Sequence, residues 1–233
     1  MASVRIKHCG ITSLHDAELC VDAGAWALGM ILWRDSPRAC TLEDAGRITR
    51  AMRRKVELTG VFVNERLGRV VELADVLGLT MVQLHGDEGP AFCAEVARRT
   101  GAKVVKAVRV QTRGEVSALE PFHTDFHLLD GGGGEAFAWD LVSARKPSPP
   151  APPLILAGGL TPQNVGEGIE AVQPWGVDVA SGTEREPGAK DPELVRAFNA
   201  AVEAAAPDVV AAESVRDLDQ VAERPGPGAE VRT

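Results

Sequence analysis

The chain has 233 residues, with 25 Lys and Arg against 33 Asp and Glu for a net charge of −8, 45% hydrophobic residues, four Cys and no Tyr. That length suits one or two ordinary domains, or a single α/β barrel of roughly 250 residues, and it buries about 70% of the unfolded surface without a disulfide or metal staple. The acidity argues against a broad nucleic-acid face, and the longest apolar stretch, Ala23 to Trp33, falls short of the roughly 20 residues of a bilayer span. Arg5, Lys7 and His8 interrupt the first apolar segment, so no leader pattern is read. A cytoplasmic protein with thiols at Cys9, Cys20, Cys40 and Cys93 is expected.

In chain order, runs rich in Val, Ile and Leu predict strands at Val4–His8, Trp26–Ile31, Glu57–Val61, Met81–Leu84, Val104–Ala107, Phe126–Leu129, Leu154–Leu156 and Val177–Val179. Segments with helical spacing alternate with them at Leu14–Ala23, Leu42–Met52, Leu67–Leu77, Pro90–Thr100, Gly114–Ala118, Trp139–Ala144, Pro162–Ala171 and Pro192–Ala205. Thr41, Thr161 before Pro162, and Asp191 before Pro192 read as helix N-caps. An open doubly wound sheet shares this alternation, but the count of eight favours an α/β (βα)8 TIM barrel, and no G-x-G-x-x-G opens a βα unit.

Lys146–Pro153 holds five prolines and reads as an extended connection inside one domain, because the alternation resumes after it. Residues 1–206 are therefore assigned to the barrel. Residues 207–233, with three basic and six acidic residues and a Pro-Gly-Pro-Gly segment, read as a solvated C-terminal extension. Val215, Leu218, Val221 and Ala222 mark a candidate short helix within it.

Barrel enzymes place reacting groups at the carboxyl ends of strands. The capable residues there are Lys7-His8-Cys9-Gly10-Ile11-Thr12, Ser36-Pro37-Arg38, Gln83-Leu84-His85-Gly86-Asp87-Glu88, Lys106 to Arg109, and Leu128-Leu129-Asp130 before four glycines. After the last two strands come Ala157-Gly158-Gly159-Leu160-Thr161-Pro162 and Asp178-Val179-Ala180-Ser181-Gly182-Thr183-Glu184. Singly, each has a bland reading: a Cys after an apolar strand is a small hydrophobe, an Asp a turn former, and paired glycines a tight turn.

Together and in this order, from about Val4 to Val202, these motifs resemble the phosphoribosylanthranilate isomerase family of tryptophan biosynthesis. The resemblance implies a (βα)8 enzyme without metal or cofactor that converts N-(5-phosphoribosyl)anthranilate into 1-(o-carboxyphenylamino)-1-deoxyribulose 5-phosphate by an Amadori rearrangement. It implies Asp130 as general acid at the furanose oxygen and Cys9 as general base at C2, with Lys7 on the same strand face as the expected cation lowering the thiol pKa. It implies Arg38 on the anthranilate carboxylate and Gly158, Gly159, Ser181 and Gly182 as a backbone phosphate grip. His85, Asp87, Arg109 and Asp178 match family positions near the substrate, without an assigned step. His85, Asp87 and Glu88 share one loop with no second cluster, so no metal site is expected there.

Two features depart from the family. His8 stands where an aliphatic residue is usual and alternation points it at the helix layer, and Gly131–Gly134 shortens the sixth loop, with Ala138 in place of an Asp before Trp139. Three rivals follow: the related isomerase of histidine biosynthesis, disfavoured because it uses carboxylates at both catalytic strand ends; a paralogue acting on another N-phosphoribosyl amine; and a non-catalytic phosphate-binding barrel. The expected partner is a phosphorylated small molecule, with neither nucleic acid nor membrane, and the chain is expected as a monomer or homodimer.

Overall fold

The computed structural model describes residues 4–132 and 151–205. Eight parallel strands close into a barrel: β1 Arg5–Cys9, β2 Ala27–Ile31, β3 Glu57–Phe62, β4 Met81–Leu84, β5 Lys103–Arg109, β6 Phe126–Asp130, β7 Leu154–Ala157 and β8 Gly176–Val179, with β8 pairing back onto β1. The helices around it are α1 Leu14–Asp22, α2 Leu42–Met52, α3 Leu67–Leu77, α4 Pro90–Thr100, α5 Arg113–Ser117, α6 Val165–Val172 and α7 Pro192–Ala205. The expected helix Trp139–Ala144, most of the proline run and the acidic extension lie outside the described residues.

The elements form where local chemistry directs them. Thr41 caps α2 through the Asp44 N–H, Asp191 caps α7 through the N–H groups of Glu193 and Leu194, and α3 and α4 stop at Gly78 and Gly101 in left-handed conformation. The cap expected at Thr161 is displaced: Thr161–Asn164 forms a turn and the helix begins at Val165 with Asn164 as N-cap. Asn164 turns its side-chain oxygen back to the Thr161 N–H. A short antiparallel hairpin, β9 Glu184–Glu186 with β10 Ala189–Lys190, was not expected; strands of three and two residues around Pro187-Gly188 carry no periodicity to read.

Strand residues are buried on both faces, as a parallel sheet under a helical coat requires. Outward residues such as Leu28, Met30, Leu58, Phe62, Val82 and Leu84 pack on α1 to α4 in the largest core cluster. Inward residues Ala27, Met81, Val105, Phe126, Leu128 and Ile155 fill the barrel, and Trp26, Trp175 and Phe126 close its amino-terminal end with ring centroids 4.8 to 5.5 Å apart. The other end stays open because its inward positions carry Cys9, Asp130 and Asp178 rather than large apolar side chains.

His8 follows the alternation and points out of the barrel. Its Nε2 lies 2.9 Å from Asn199 Oδ1 on α7, and Asn199 in turn donates to Ala23 O at 2.7 Å. Burial, with the neighbouring Lys190 ammonium, lowers the imidazole from 6.5 to about 3, so the folded protein holds it neutral. Unfolding lets it take up a proton below pH 6.5, and stability is lost as pH falls from there toward 3, by up to about 1.4 kcal/mol per unit. A His8→Val protein should lose less stability than wild type between pH 6.5 and 4.5 in urea titrations; equal slopes would remove His8 as the source.

Candidate active site

At the carboxyl ends of the strands lies a cavity of about 920 Å³. Cys9, Asp130 and Asp178 enter it from β1, β6 and β8, and Arg38, His85 and Arg109 from the loops or ends of β2, β4 and β5. Gly158, Gly159 and Ser181 line the side where β7 and β8 end. Register explains the convergence. Arg109 is level with Asp130, Asp130 with Ala157 and Ala157 with Asp178, while Asp178 pairs with Lys7 two residues below Cys9.

Lys7 is buried beneath the mouth and donates to Asp178 Oδ1 at 2.8 Å. Burial disfavours its ammonium, but Asp178 and the adjacent Cys9 outweigh burial and hold the Lys7 pKa up. Cys9 corrects an expectation. Burial pushes its thiol above the ordinary 9.0, Lys7 opposes this, and the nearby Asp178 carboxylate supports it by repelling a thiolate. The net direction is upward, so Cys9 rests as a thiol.

Asp130 behaves oppositely. Burial raises its pKa, but the His85 hydrogen bond, the Gly132 N–H at 2.8 Å and the Arg109 charge more than offset it. The carboxylate is held below 3.8 and rests ionised. His85 Nε2 lies 3.3 Å from Asp130 Oδ2, and the Gln83 amide N–H reaches His85 Nδ1 at 3.3 Å. With the Gln83 amide nitrogen donating to Nδ1, a ring hydrogen lies on Nε2, aimed at Asp130. Gln83 sits at the head of the Gln83-to-Glu88 motif with no local signal of this task.

Behind His85, Glu88 is buried and its carboxylate is spent on the N–H groups of Asn64 and Gly86 and on Lys106 Nζ at 3.0 Å. With those oxygens committed, the His85, Asp87 and Glu88 loop offers no converging ligand set, and among the described residues no group of three or more candidate ligands converges.

Glycines fix the spacing of the mouth. A Cβ on Gly29 would sit 2.8 Å from Cys9 Sγ and 3.0 Å from Lys7 Nζ, so the thiol and the buried lysine need β2 to be bare there. Gly158, at φ +93°, would drive a Cβ into the Gly131 N–H and to 2.5 Å from Asp130 Oδ1. Gly182 sits against the Leu160 carbonyl with no room for a side chain and is not among the residues lining the cavity. Expected as room for an anion, Gly158 also makes room for Asp130. Arg38 places its Nε on Glu184, at 3.0 and 2.8 Å from the two carboxylate oxygens, which leaves the Nη end of the guanidinium for an anion.

Fold and site together define a (βα)8 barrel enzyme with a thiol and a carboxylate facing each other across its carboxyl-end mouth and glycine loops after the last two strands. Known proteins narrow this. The family model for N-(5'-phosphoribosyl)anthranilate (PRA) isomerase matches residues 6–201, and the chain belongs to that family. It is 46% identical over 202 residues to N-(5'-phosphoribosyl)anthranilate isomerase of Geobacter metallireducens, covering 84% of this chain and 96% of that one, and 42% identical over 207 residues to that of Azotobacter vinelandii, covering 85% and 97%. The crystal structure of phosphoribosyl anthranilate isomerase from Thermotoga maritima superposes with TM-score 0.78 at 36% identity, over 86% of this chain and 99% of that one. A structure of this isomerase with reduced 1-(o-carboxyphenylamino)-1-deoxyribulose 5-phosphate bound superposes at 0.76, with the same identity and coverage.

Proposed function

We propose that this mouth converts N-(5-phosphoribosyl)anthranilate into 1-(o-carboxyphenylamino)-1-deoxyribulose 5-phosphate, with Asp130 as the acid and Cys9 as the base. The observation that carries it is the placement of both groups on one cavity with Arg38 and the Gly158-Gly159 loop. Protonated Asp130 delivers its proton to the furanose oxygen as the C1–O bond breaks, giving a Schiff base. The Cys9 thiolate then takes the C2 proton, and the resulting enol-amine tautomerises to the ketone. C2 is oxidised as C1 is reduced, so the rearrangement is redox-neutral within the substrate and proton transfer suffices.

Backbone N–H groups of Gly158, Gly159 and Ser181 hold the phosphate on this reading, with Gly182 packed on the Leu160 carbonyl in the same turn, and Arg38 holds the carboxylate. Lys7 and Asp178 act through Cys9, His85 acts through Asp130, and Arg109 faces the same carboxylate. The departure at His8 does not favour another substrate, because that side chain faces α7 rather than the cavity. We assign residues 1–206 to one catalytic domain acting in the cytoplasm as a monomer or homodimer; the solved Thermotoga maritima isomerase is described as dimeric, and no helix among the described residues is long and apolar enough to cross a membrane.

The test is direct. Freshly made phosphoribosylanthranilate should lose its anthranilate fluorescence with saturable, enzyme-dependent kinetics. A folded protein that binds it without turnover would favour the non-catalytic barrel, and one that neither binds nor converts it would overturn the assignment.

A further inference from the structure

The β9–β10 hairpin carries a buried charge at each end. Glu184, 3% exposed, accepts both contacts from Arg38 Nε, and its Oε1 lies 3.6 Å from Lys190 Nζ. The Lys190 ammonium is fully buried and donates to Ala180 O at 2.9 Å and Thr183 Oγ1 at 3.2 Å, the residues flanking Ser181-Gly182. The hairpin is itself anchored: the Lys190 N–H reaches Asp16 Oδ2 on α1 at 3.2 Å, and Thr12 Oγ1 reaches Gly188 O at 2.5 Å.

One continuous chain of polar contacts therefore runs from the Arg38 guanidinium through Glu184 and Lys190 to the Ala180–Thr183 turn. We infer that Glu184 and Lys190 are positioning residues forming a strut that sets the separation between Arg38 and the Ala180–Thr183 turn, and so selects ligands by the distance between their carboxylate and their phosphate. The inference rests on the proposed placement of those two anions.

Arg38 is a long side chain attached to a loop, and without Glu184 its guanidinium recovers the rotamer freedom that binding must then remove. Glu184 cannot stand alone, since a buried carboxylate needs its cations, and Arg38 with Lys190 supply two. The trio sums to one positive charge, which keeps the mouth attractive to an anion in a protein of net charge −8.

The experiment compares a two-ended ligand, reduced 1-(o-carboxyphenylamino)-1-deoxyribulose 5-phosphate, with a phosphate-only ligand, ribose 5-phosphate, by calorimetry on wild type, Arg38→Ala, Glu184→Gln and Glu184→Asp. Glu184→Gln keeps the side-chain shape and should weaken the two-ended ligand about tenfold, or about 1.4 kcal/mol, with ribose 5-phosphate within about twofold of wild type. In turnover the same variant should raise KM about tenfold with kcat within about threefold, and Glu184→Asp, which retains the charge, should recover part of the loss. Lys190→Met should weaken both ligands. If Arg38→Ala weakens the two-ended ligand while Glu184→Gln leaves it unchanged, or weakens both ligands equally, the strut is wrong and the reading of Arg38 survives. If Arg38→Ala leaves the two-ended ligand unchanged, the reading of Arg38 falls and takes the strut with it.

Discussion

A Cys9→Ser protein should fold as wild type and turn over phosphoribosylanthranilate about 10³-fold more slowly, and Asp130→Asn should cost a similar factor, within the 10² to 10⁴ that a placed acid or base supplies. Serine keeps the small volume that the space against Gly29 demands but offers an oxygen too weakly acidic to form the base. Asparagine at 130 keeps the hydrogen bond from Gly132 but has no proton to deliver. Either variant within tenfold of wild-type kcat/KM would remove its residue from the proposed role.

The resting protonation states add a pH signature. The proposed chemistry requires Asp130 protonated and Cys9 ionised, whereas the surroundings of the two groups favour the reverse, with Asp130 held below 3.8 and Cys9 above 9.0. Between those limits the fraction of the reactive form depends on the separation of the two pKa values and not on pH. The expected kcat/KM profile is therefore a plateau from about pH 5.5 to 8.5, limited at acid pH by stability. A narrow bell with both limbs near neutrality would show that one of the two groups titrates elsewhere in the working enzyme.

The second large effect belongs to Gly158. Alanine there meets two obstacles at once, a φ of +93° and contacts with the Gly131 N–H and Asp130 Oδ1, so either the backbone of the sixth loop or the acid must move. Displacing a catalytic group by about 1 Å costs on the order of 10²-fold, and Gly158→Ala should lose at least that in kcat/KM. Gly159→Ala is the control: its φ of +63° is also left-handed, but the nearest atom to the new methyl is Gly132 O at 3.5 Å. It should cost about 1 to 2 kcal/mol of stability in urea denaturation and less than about tenfold in activity. Equal losses for the two substitutions would mean that phosphate contact, and not room for Asp130, decides the need for glycine.

Most of the barrel is legible because βα units repeat the same local signals. Leu42–Met52, Leu67–Leu77, Pro90–Thr100 and Pro192–Ala205 have the expected bounds, each with a cap or stop signal within a residue of its end. Strand-end chemistry is legible for the same reason: alternation sends Cys9, Asp130 and Asp178 inward and His8 outward. Contacts between distant loops are less so. Glu184 meets a partner 146 residues away, Gly29 is required by side chains on another strand, and neither demand leaves a trace in its own neighbourhood. The state of Cys9 is illegible for a related reason: the sequence places Lys7 beside it but shows neither the burial that raises the thiol most nor the Asp178 carboxylate, 171 residues from Lys7, that adds to it.

The three described tryptophans divide between the two ends of the barrel. Trp26 and Trp175 lie in the aromatic plug at the amino-terminal end, while Trp33, 40% exposed, lies on the cavity rim in the loop that carries Arg38. The molecule thus carries separate optical reporters. Emission from the plug follows collapse of the barrel, emission from the rim follows occupancy of the mouth, and a protein with both Trp33→Phe and Trp139→Phe leaves the plug pair alone to report.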